Sequence, residues 1–92
     1  MAVTVRVPSA LRAEAGGASS LEVGDVTTLA GLLDDIATRH PLLERRIRDE
    51  QGNLRRYVNL YIDGEECRRL DGLATPLPAT SEVMIIPSVA GG

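Results

Sequence analysis

Two glycines, Gly91 and Gly92, close the sequence directly after the apolar pair Val89-Ala90. Glycine has no Cβ, so a diglycine is the thinnest peptide tail that a protein can present. Such a tail passes through a channel that any side chain would block, and it delivers the α-carboxylate of Gly92. Two closing glycines also arise by chance in roughly 0.5% of chains, and chain ends tolerate glycine because they fray. The prediction of an activated acyl group at Gly92 therefore depends on the rest of the chain.

Other residues that could carry chemistry are few and poorly spaced for it. Cys67 and His40 are each the only residue of their type, and nucleophilic catalysis by such a pair needs hydrogen-bond contact and an orienting third group. We expect Cys67 to be a small buried hydrophobe on a short strand and His40 to lie at an exposed helix end. Gly16-Gly17 lacks the pattern of a phosphate loop, and Asp34-Asp35 point apart on a helix. We predict no metal site, no bound cofactor and no enzyme active site.

Size and composition favour one small domain with an aliphatic core. The 92 residues include no Phe or Trp and two tyrosines, Tyr57 and Tyr61. A net charge of −3 gives no electrostatic case for binding nucleic acid, and no apolar run approaches the roughly 20 residues that span a bilayer. The first residues do not have the pattern of a secretion signal. Because Cys67 is the only cysteine, we expect a reducing, cytoplasmic location.

All ten basic residues are arginines, and lysine is absent. An arginine-biased genome is the simplest explanation, since Ala, Gly, Leu and Val are also abundant. A functional interpretation is that a chain whose own carboxyl group becomes activated gains from lacking side-chain amines that could attack it. Arg45, Arg46 and Arg48 stand among acidic residues, and we predict that they form a solvated face.

Three segments alternate apolar and polar residues with the period of a half-buried strand: residues 3–7, 57–62 and 82–86. Shorter strands are predicted at residues 19–23 and 66–68, the latter after the tight-turn signal Asp63-Gly64. Pro8 and Pro87 end the first and last strands. Residues 9–17 are predicted to form a loop.

One amphipathic helix is predicted after the break at Gly24-Asp25, with Thr27 or Thr28 as its cap. Its apolar residues recur at i, i+3, i+4 and i+7, and they are Leu29, Leu32, Leu33 and Ile36. His40-Pro41 ends this helix because proline restricts the residue before it. One further helical turn is predicted at residues 42–47.

The element order is hairpin, helix, two strands, loop and strand, which is typical of an α+β arrangement of two layers. The single helix is expected to cover one face of the sheet. Inward-facing strand residues would meet its apolar stripe, and they are Val3, Val5, Val7, Val58, Leu60, Ile62, Val83 and Ile85.

This order, together with the closing diglycine, resembles the ubiquitin-like β-grasp fold and, more closely, the MoaD/ThiS family of sulfur carriers. The segments that carry the resemblance are RYVNLYIDGE (56–65), DGLATPL (71–77) and VMIIPSVAGG (83–92). With the loop at residues 8–17, they look like the actinobacterial CysO-type carriers of cysteine biosynthesis. The resemblance implies a mixed sheet of about five strands on one main helix. Residues 1–87 would form the β-grasp domain and residues 88–92 a flexible diglycine tail.

The resemblance also implies a function as a protein cosubstrate of other enzymes. A ubiquitin-activating type of adenylating enzyme, using ATP and magnesium, would join the Gly92 carboxylate to AMP, and a sulfur donor would displace the AMP to leave a thiocarboxylate. Val89, Ala90 and Gly91 would thread the tail into a second enzyme. That enzyme would be a pyridoxal phosphate cysteine synthase, with a metalloprotease releasing the product, or a synthase of thiosugars or other sulfur-containing products.

Two other functions fit the same tail less directly. A ubiquitin-like modifier would be joined through Gly92 to lysines on target proteins. A plain interaction module would carry an inert tail.

Partners must also bind the body of the domain, and the outer face of the sheet is the predicted surface. The residues expected there, beside the exit of the tail, are Arg6, Tyr57, Asn59, Tyr61, Met84 and Ile86. Exposed tyrosine, methionine and arginine are typical of interfaces. Alternatively, edge loops cover this face, or these residues are ordinary cross-strand pairs.

Overall fold

The structure is a computed structural model that describes residues 2–87 of the 92. The predicted tail, residues 88–92, lies outside the described residues. The strands are β1 (Ala2–Arg6), β2 (Ser20–Gly24), β3 (Val58–Ile62), β4 (Glu65–Glu66) and β5 (Glu82–Pro87). The helices are α1 (Leu29–Arg39) and α2 (Pro41–Ile47).

The strands form one mixed sheet in the order β2-β1-β5-β3-β4. β1 pairs antiparallel with β2 and parallel with β5, while β3 pairs antiparallel with both β5 and β4. This confirms the α+β, ubiquitin-like β-grasp prediction of a five-stranded sheet packed on a main helix. It also makes β5, the strand that leads into the tail, the central strand of the sheet.

Helix α1 begins and ends where the sequence predicts. The Thr28 side chain accepts a hydrogen bond of 3.1 Å from the backbone N–H of Gly31, which satisfies one of the free donors of the first turn. His40, with φ −138° and ψ 70°, ends α1, and Pro41 opens α2. The predicted helical turn at residues 42–47 is therefore all but the first residue of a short helix that packs beside α1.

The core lies between the sheet and α1, and all twelve predicted core residues are buried there. Full burial of one leucine or isoleucine side chain stabilises a fold by about 1.5–3 kcal/mol, so this layer is the main source of stability. Further buried residues come from β2, α2 and the connections, and they are Leu11, Ala15, Leu21, Val23, Leu43, Ile47, Cys67 and Leu77.

The segment after β1 is not the predicted loop. Residues Ser9–Ala15 form a 3₁₀ helix that begins after Pro8 and ends at Gly16, whose φ of 67° is left-handed. Leu11 and Ala15 are buried, and the segment packs against α2. The prediction was wrong because the tertiary burial of Leu11 and Ala15, rather than a long apolar stripe, holds this segment in place.

The predicted strand at residues 66–68 is also shorter than expected. β4 contains Glu65 and Glu66 alone, and the chain then turns into a 3₁₀ helix at Cys67–Arg69. The Glu66 carboxylate accepts a hydrogen bond of 3.1 Å from the backbone N–H of Arg68 and so caps that turn. Cys67 is buried as predicted, but it lies on a 3₁₀ turn and not on a strand.

Arg48 does not belong to a solvated face, although Arg45 and Arg46 are exposed as predicted. Its guanidinium donates from Nε to Glu44 Oε2 at 2.8 Å and from Nη2 to Asp34 Oδ1 at 2.9 Å. The prediction failed for Arg48 because the corner between α1 and α2 brings Asp34 and Glu44 to the same guanidinium. Neighbouring Asp35 pairs with Arg39 at 2.8 Å, so the two aspartates do point apart.

Candidate functional site

The candidate site begins where β5 ends, because the predicted tail starts there. Pro87 is the last residue of β5 and lies opposite Val58 of β3. β5 has strand neighbours on both sides up to Met84, and residues 85–87 continue to pair with β3, so the tail starts from a rigid base. From Pro87 to Gly92 an extended chain spans about 20 Å. The tail residues Val89, Ala90, Gly91 and Gly92 lie outside the described residues, so their roles remain predictions.

The structure brings the six predicted docking residues to the outer face of the sheet, next to this base. Met84 lies opposite Arg6 of β1 on one side and opposite Tyr61 of β3 on the other. Asn59 lies opposite Ile86, one position from the end of β5. Tyr57 occupies the turn that leads into β3. Their use in docking remains a prediction.

Large apolar side chains are exposed on this face. Tyr57 is 46% exposed, Met84 41% and Ile86 39%. Between the ends of β1 and β5, residues 6–8 and 84–87 line an almost wholly apolar recess of about 300 Å³. No helix covers this side of the sheet among residues 2–87, because α1 and α2 pack on the opposite face.

A second, polar recess of about 570 Å³ lies on the other side of the Tyr61–Met84 pair, and it is lined by Asn59, Tyr61, Gly64, Glu65, Glu66 and Arg69. Asp63 and Gly64 have φ values of 49° and 90°, which is the geometry of the tight turn predicted from Asp63-Gly64. That turn places β4 and the following 3₁₀ turn along one wall of the recess.

Arg68 is the residue of this region that sequence reasoning missed. Its Nη1 donates to Asn59 Oδ1 at 2.9 Å, and its Nη2 donates to the carbonyl oxygen of Arg55 at 2.7 Å. The same carbonyl accepts from the backbone N–H of Val58 at 3.2 Å, so Arg68 supports the turn that carries Tyr57. No periodicity in the sequence marks Arg68, because its partners are 9 and 13 positions away.

Electrostatic contacts at the other end of this face are weak. Arg6 pairs with Glu82 at 2.8 Å, but both side chains are about half exposed. Ion pairs of that kind contribute roughly 0–1 kcal/mol because water and salt screen them. Arg6 therefore remains available to a partner.

The rejected candidates stay apart in the structure. Cys67 is fully buried, and its burial, followed by the neighbouring Glu66 carboxylate, raises the pKa of its thiol. His40 lies at the end of α1 as predicted but is partly buried rather than exposed, and its Cε1 atom is 3.8 Å from where a Cβ on Gly16 would stand. No hydrogen bond joins Cys67 to His40 within residues 2–87. Over the same residues, no three His, Cys, Asp or Glu side chains are grouped as metal ligands.

No helix in the described part of the chain is long and apolar enough to cross a membrane.

Comparison with known proteins places this geometry in a family. The model of the ThiS family matches residues 5–92. The sulfur carrier protein CysO of Mycobacterium tuberculosis is 38% identical over 95 residues, covering 100% of both chains. A chain in the crystal structure of the Amycolatopsis orientalis BexX/CysO complex superposes with a TM-score of 0.88 at 34% identity, covering 98% of this chain and 99% of that one.

A modifier protein is also similar. Small archaeal modifier protein 3 of Haloferax volcanii is 34% identical over 70 residues, which cover 76% of this chain and 75% of that protein. The full-length match to the family model and to CysO, on a β-grasp fold whose central strand leads into the diglycine segment, identifies the chain as a member of the ThiS family of sulfur carriers.

Proposed function

We propose that this protein carries sulfur on the C-terminal carboxyl group of Gly92 and donates it to a biosynthetic enzyme. The observation that carries the proposal is the full-length similarity to the sulfur carrier CysO. The position of β5 adds physical support, because a central strand holds the tail base rigidly while the segment after Pro87 is long enough to enter a covered active site.

The chemistry follows from the weakness of a carboxylate as an electrophile. The Gly92 carboxylate attacks the α-phosphorus of ATP, pyrophosphate leaves, and a mixed anhydride with AMP forms. A sulfur nucleophile at the hydrosulfide level then attacks the Gly92 carbonyl, and AMP leaves with the electron pair of the broken C–O bond. The product is a thiocarboxylate, whose sulfur is anionic and nucleophilic. ATP and magnesium belong to the partner enzyme in this scheme.

Two kinds of partner follow from this chemistry. An adenylating enzyme of the ubiquitin-activating type would bind the outer face, with Met84 and Ile86 at its centre, and receive the tail. A second enzyme would accept the sulfur, either a pyridoxal phosphate cysteine synthase followed by a metalloprotease or a synthase of another sulfur-containing product. A single cysteine, Cys67, can form no internal disulfide, which fits a cytoplasmic setting for these steps.

A second candidate function is protein modification through Gly92. The similarity to small archaeal modifier protein 3 favours it. Both functions begin with the same acyl adenylate and differ in the nucleophile, which is sulfur in one case and a lysine amine in the other. The absence of lysine from this chain prevents it from accepting a second copy through a lysine side chain, so conjugates would contain no lysine-linked chains of this protein.

Mass spectrometry of the protein isolated from its native cell tests the proposal. We expect a C-terminal peptide in which one oxygen of Gly92 is replaced by sulfur, and we expect deletion of Gly92 to abolish both this species and adenylation. Leu42→Ser, an exposed change on α2, is the matched control and should be adenylated normally. Peptides of other proteins linked through lysine to Gly92, with no thiocarboxylate present, would contradict the sulfur-carrier function and support the modifier.

A further inference from the structure

The pairing of β3 leaves part of its edge without a strand neighbour. β4 pairs only with Tyr61 and Ile62, so no strand in the described part of the chain covers this side of residues 58–60. Arg68 takes that place, because it lies on the 3₁₀ turn that follows β4 and its guanidinium reaches both Asn59 and the Arg55 carbonyl. One side chain thus holds the part of the outer face that lies nearest the tail base.

Hydrogen-bond chemistry then determines which way the Asn59 amide points. A guanidinium can donate but cannot accept, so the amide must turn Oδ1 toward Arg68, as observed at 2.9 Å. Its Nδ2 group has no hydrogen-bond partner among residues 2–87. The one fully buried side-chain polar atom without a partner in that range is Ser81 Oγ, so Asn59 Nδ2 is not fully buried, and its two N–H donors are unpaired within these residues.

The Asn59 side chain lies close to both recesses of the outer face. Asn59 lines the polar recess together with Arg69, Glu65 and Glu66. The apolar recess lies on the other side of the Tyr61–Met84 pair. A partner that fills the apolar recess therefore brings its adjoining surface over Asn59.

We propose that Asn59, held in one orientation by Arg68, binds a main-chain carbonyl oxygen on a loop of the adenylating enzyme. The inference rests on the proposed function and specifies how the outer face is recognised. The charges around this recess balance, because Glu65 and Glu66 are offset by Arg69 in the lining and by the neighbouring Arg68 guanidinium, which lies 3.5 Å from the Glu66 carboxylate. A neutral main-chain carbonyl therefore fits the recess better than a charged group of either sign. Arg68 is a positioning residue in this arrangement, since it acts through Asn59 and through the turn that carries Tyr57.

Asn59→Asp is the decisive variant. It keeps an oxygen for Arg68 to bind, so the fold and its melting temperature should be unchanged. It replaces the outward N–H donors with an acceptor oxygen that opposes the partner's carbonyl. The readout is adenylation of the full chain by the cognate adenylating enzyme, followed as ATP–pyrophosphate exchange over a range of carrier concentrations.

We expect Asn59→Asp to raise the KM for the carrier about tenfold, which corresponds to one lost hydrogen bond with an opposed acceptor, while kcat stays within about twofold. Arg68→Lys should also raise KM, because an ammonium cannot replace the two-pronged contact of a guanidinium. The double variant should be little worse than either single variant, since both changes act on the same amide.

Gln51→Glu is the matched control, since it makes the same amide-to-carboxylate change at an exposed position in the turn after α2, outside the sheet. A KM for Asn59→Asp within about twofold of the Gln51→Glu value, or a loss confined to kcat, overturns the inference. If the rise in KM seen at about 50 mM salt disappears at about 500 mM salt, the partner's acceptor is a carboxylate, and the inference is overturned as well. If the native chain is not adenylated, the proposed function fails; if it is adenylated through Gly92 and Asn59→Asp behaves normally, only this inference fails.

Discussion

At the scale of single residues, alternation along a strand separates the side chains that hold the fold from those that partners can touch. Val83 and Ile85 are buried, whereas Met84 and Ile86 are exposed on the same strand. Strand residues point alternately to the two faces of a sheet, so this division was predictable from the sequence. The position of Met84 between Arg6 and Tyr61 was not, because it depends on the register of three strands.

Substitution of Tyr61 by Ala or of Met84 by Asp should weaken docking without unfolding the domain. We expect each change to raise the KM for adenylation about tenfold or more, because central aromatic and apolar side chains of an interface commonly contribute about 2 kcal/mol or more. Steady-state kinetics and thermal melting would be measured together. The control is Leu42→Asp, because Leu42 lies on α2 and is 69% exposed in the native chain. Unchanged kinetics in both outer-face variants would rule out this face as the docking surface.

Because of the Cys67 thiol, we predict that the free energy of unfolding falls at alkaline pH. Burial, and then the Glu66 carboxylate, raise its pKa in the folded protein. The unfolded chain therefore loses this proton at a lower pH than the folded protein does. The contribution to stability is complete below the unfolded pKa of about 8.5 and is lost as the pH rises toward the folded value.

Urea unfolding at about pH 8 and about pH 10 measures this effect. The native protein should lose more stability over that interval than Cys67→Ala, although the variant starts lower because of the cavity it creates. An equal pH dependence in the two proteins would mean that other groups cause the alkaline loss.

At the scale of elements, the corner between α1 and α2 depends on Arg48. Its side chain is 10% exposed and pairs with Glu44, which is 14% exposed, and with Asp34, which is 72% exposed. Loss of one partner from a buried ion pair costs about 3–5 kcal/mol because a buried charge is left alone. The exposure of Asp34 reduces that cost here, since water can solvate its carboxylate.

Arg48→Ala should therefore destabilise the protein by about 2 kcal/mol, chiefly through the Glu44 carboxylate. Arg45→Ala, at an exposed position on α2, should change stability by less than about 0.5 kcal/mol. Urea denaturation gives both values. Equal effects of the two substitutions would show that the Arg48 contacts contribute nothing net.

At the scale of the whole molecule, a single sheet is covered by helices on one face and left open on the other. The sheet order makes β5 the central strand, so the base of the tail and the open face belong to the same rigid layer. A docking partner that binds the open face is therefore held at a defined distance from Pro87, where β5 ends. This arrangement supports the division of labour in the proposed function, in which the domain is recognised and Gly92 reacts.

Local patterns in the sequence determined the existence of the main elements, the inward and outward residues of each strand, the cap of α1 and the fold class. Periods of 2 and 3.6 residues are properties of neighbouring positions, so they can be recognised without the fold. The diglycine segment and the family resemblance are also properties of the sequence alone.

Only the tertiary structure decided the features that depend on residues distant in the chain. The Ser9–Ala15 segment is helical because it packs against α2, and Arg48 is buried because Asp34, 14 positions away, lies within reach. Arg68 orients Asn59 because β4 stops after two residues and leaves the edge of β3 open. Such contacts have no period, since they are set by where the chain returns in space.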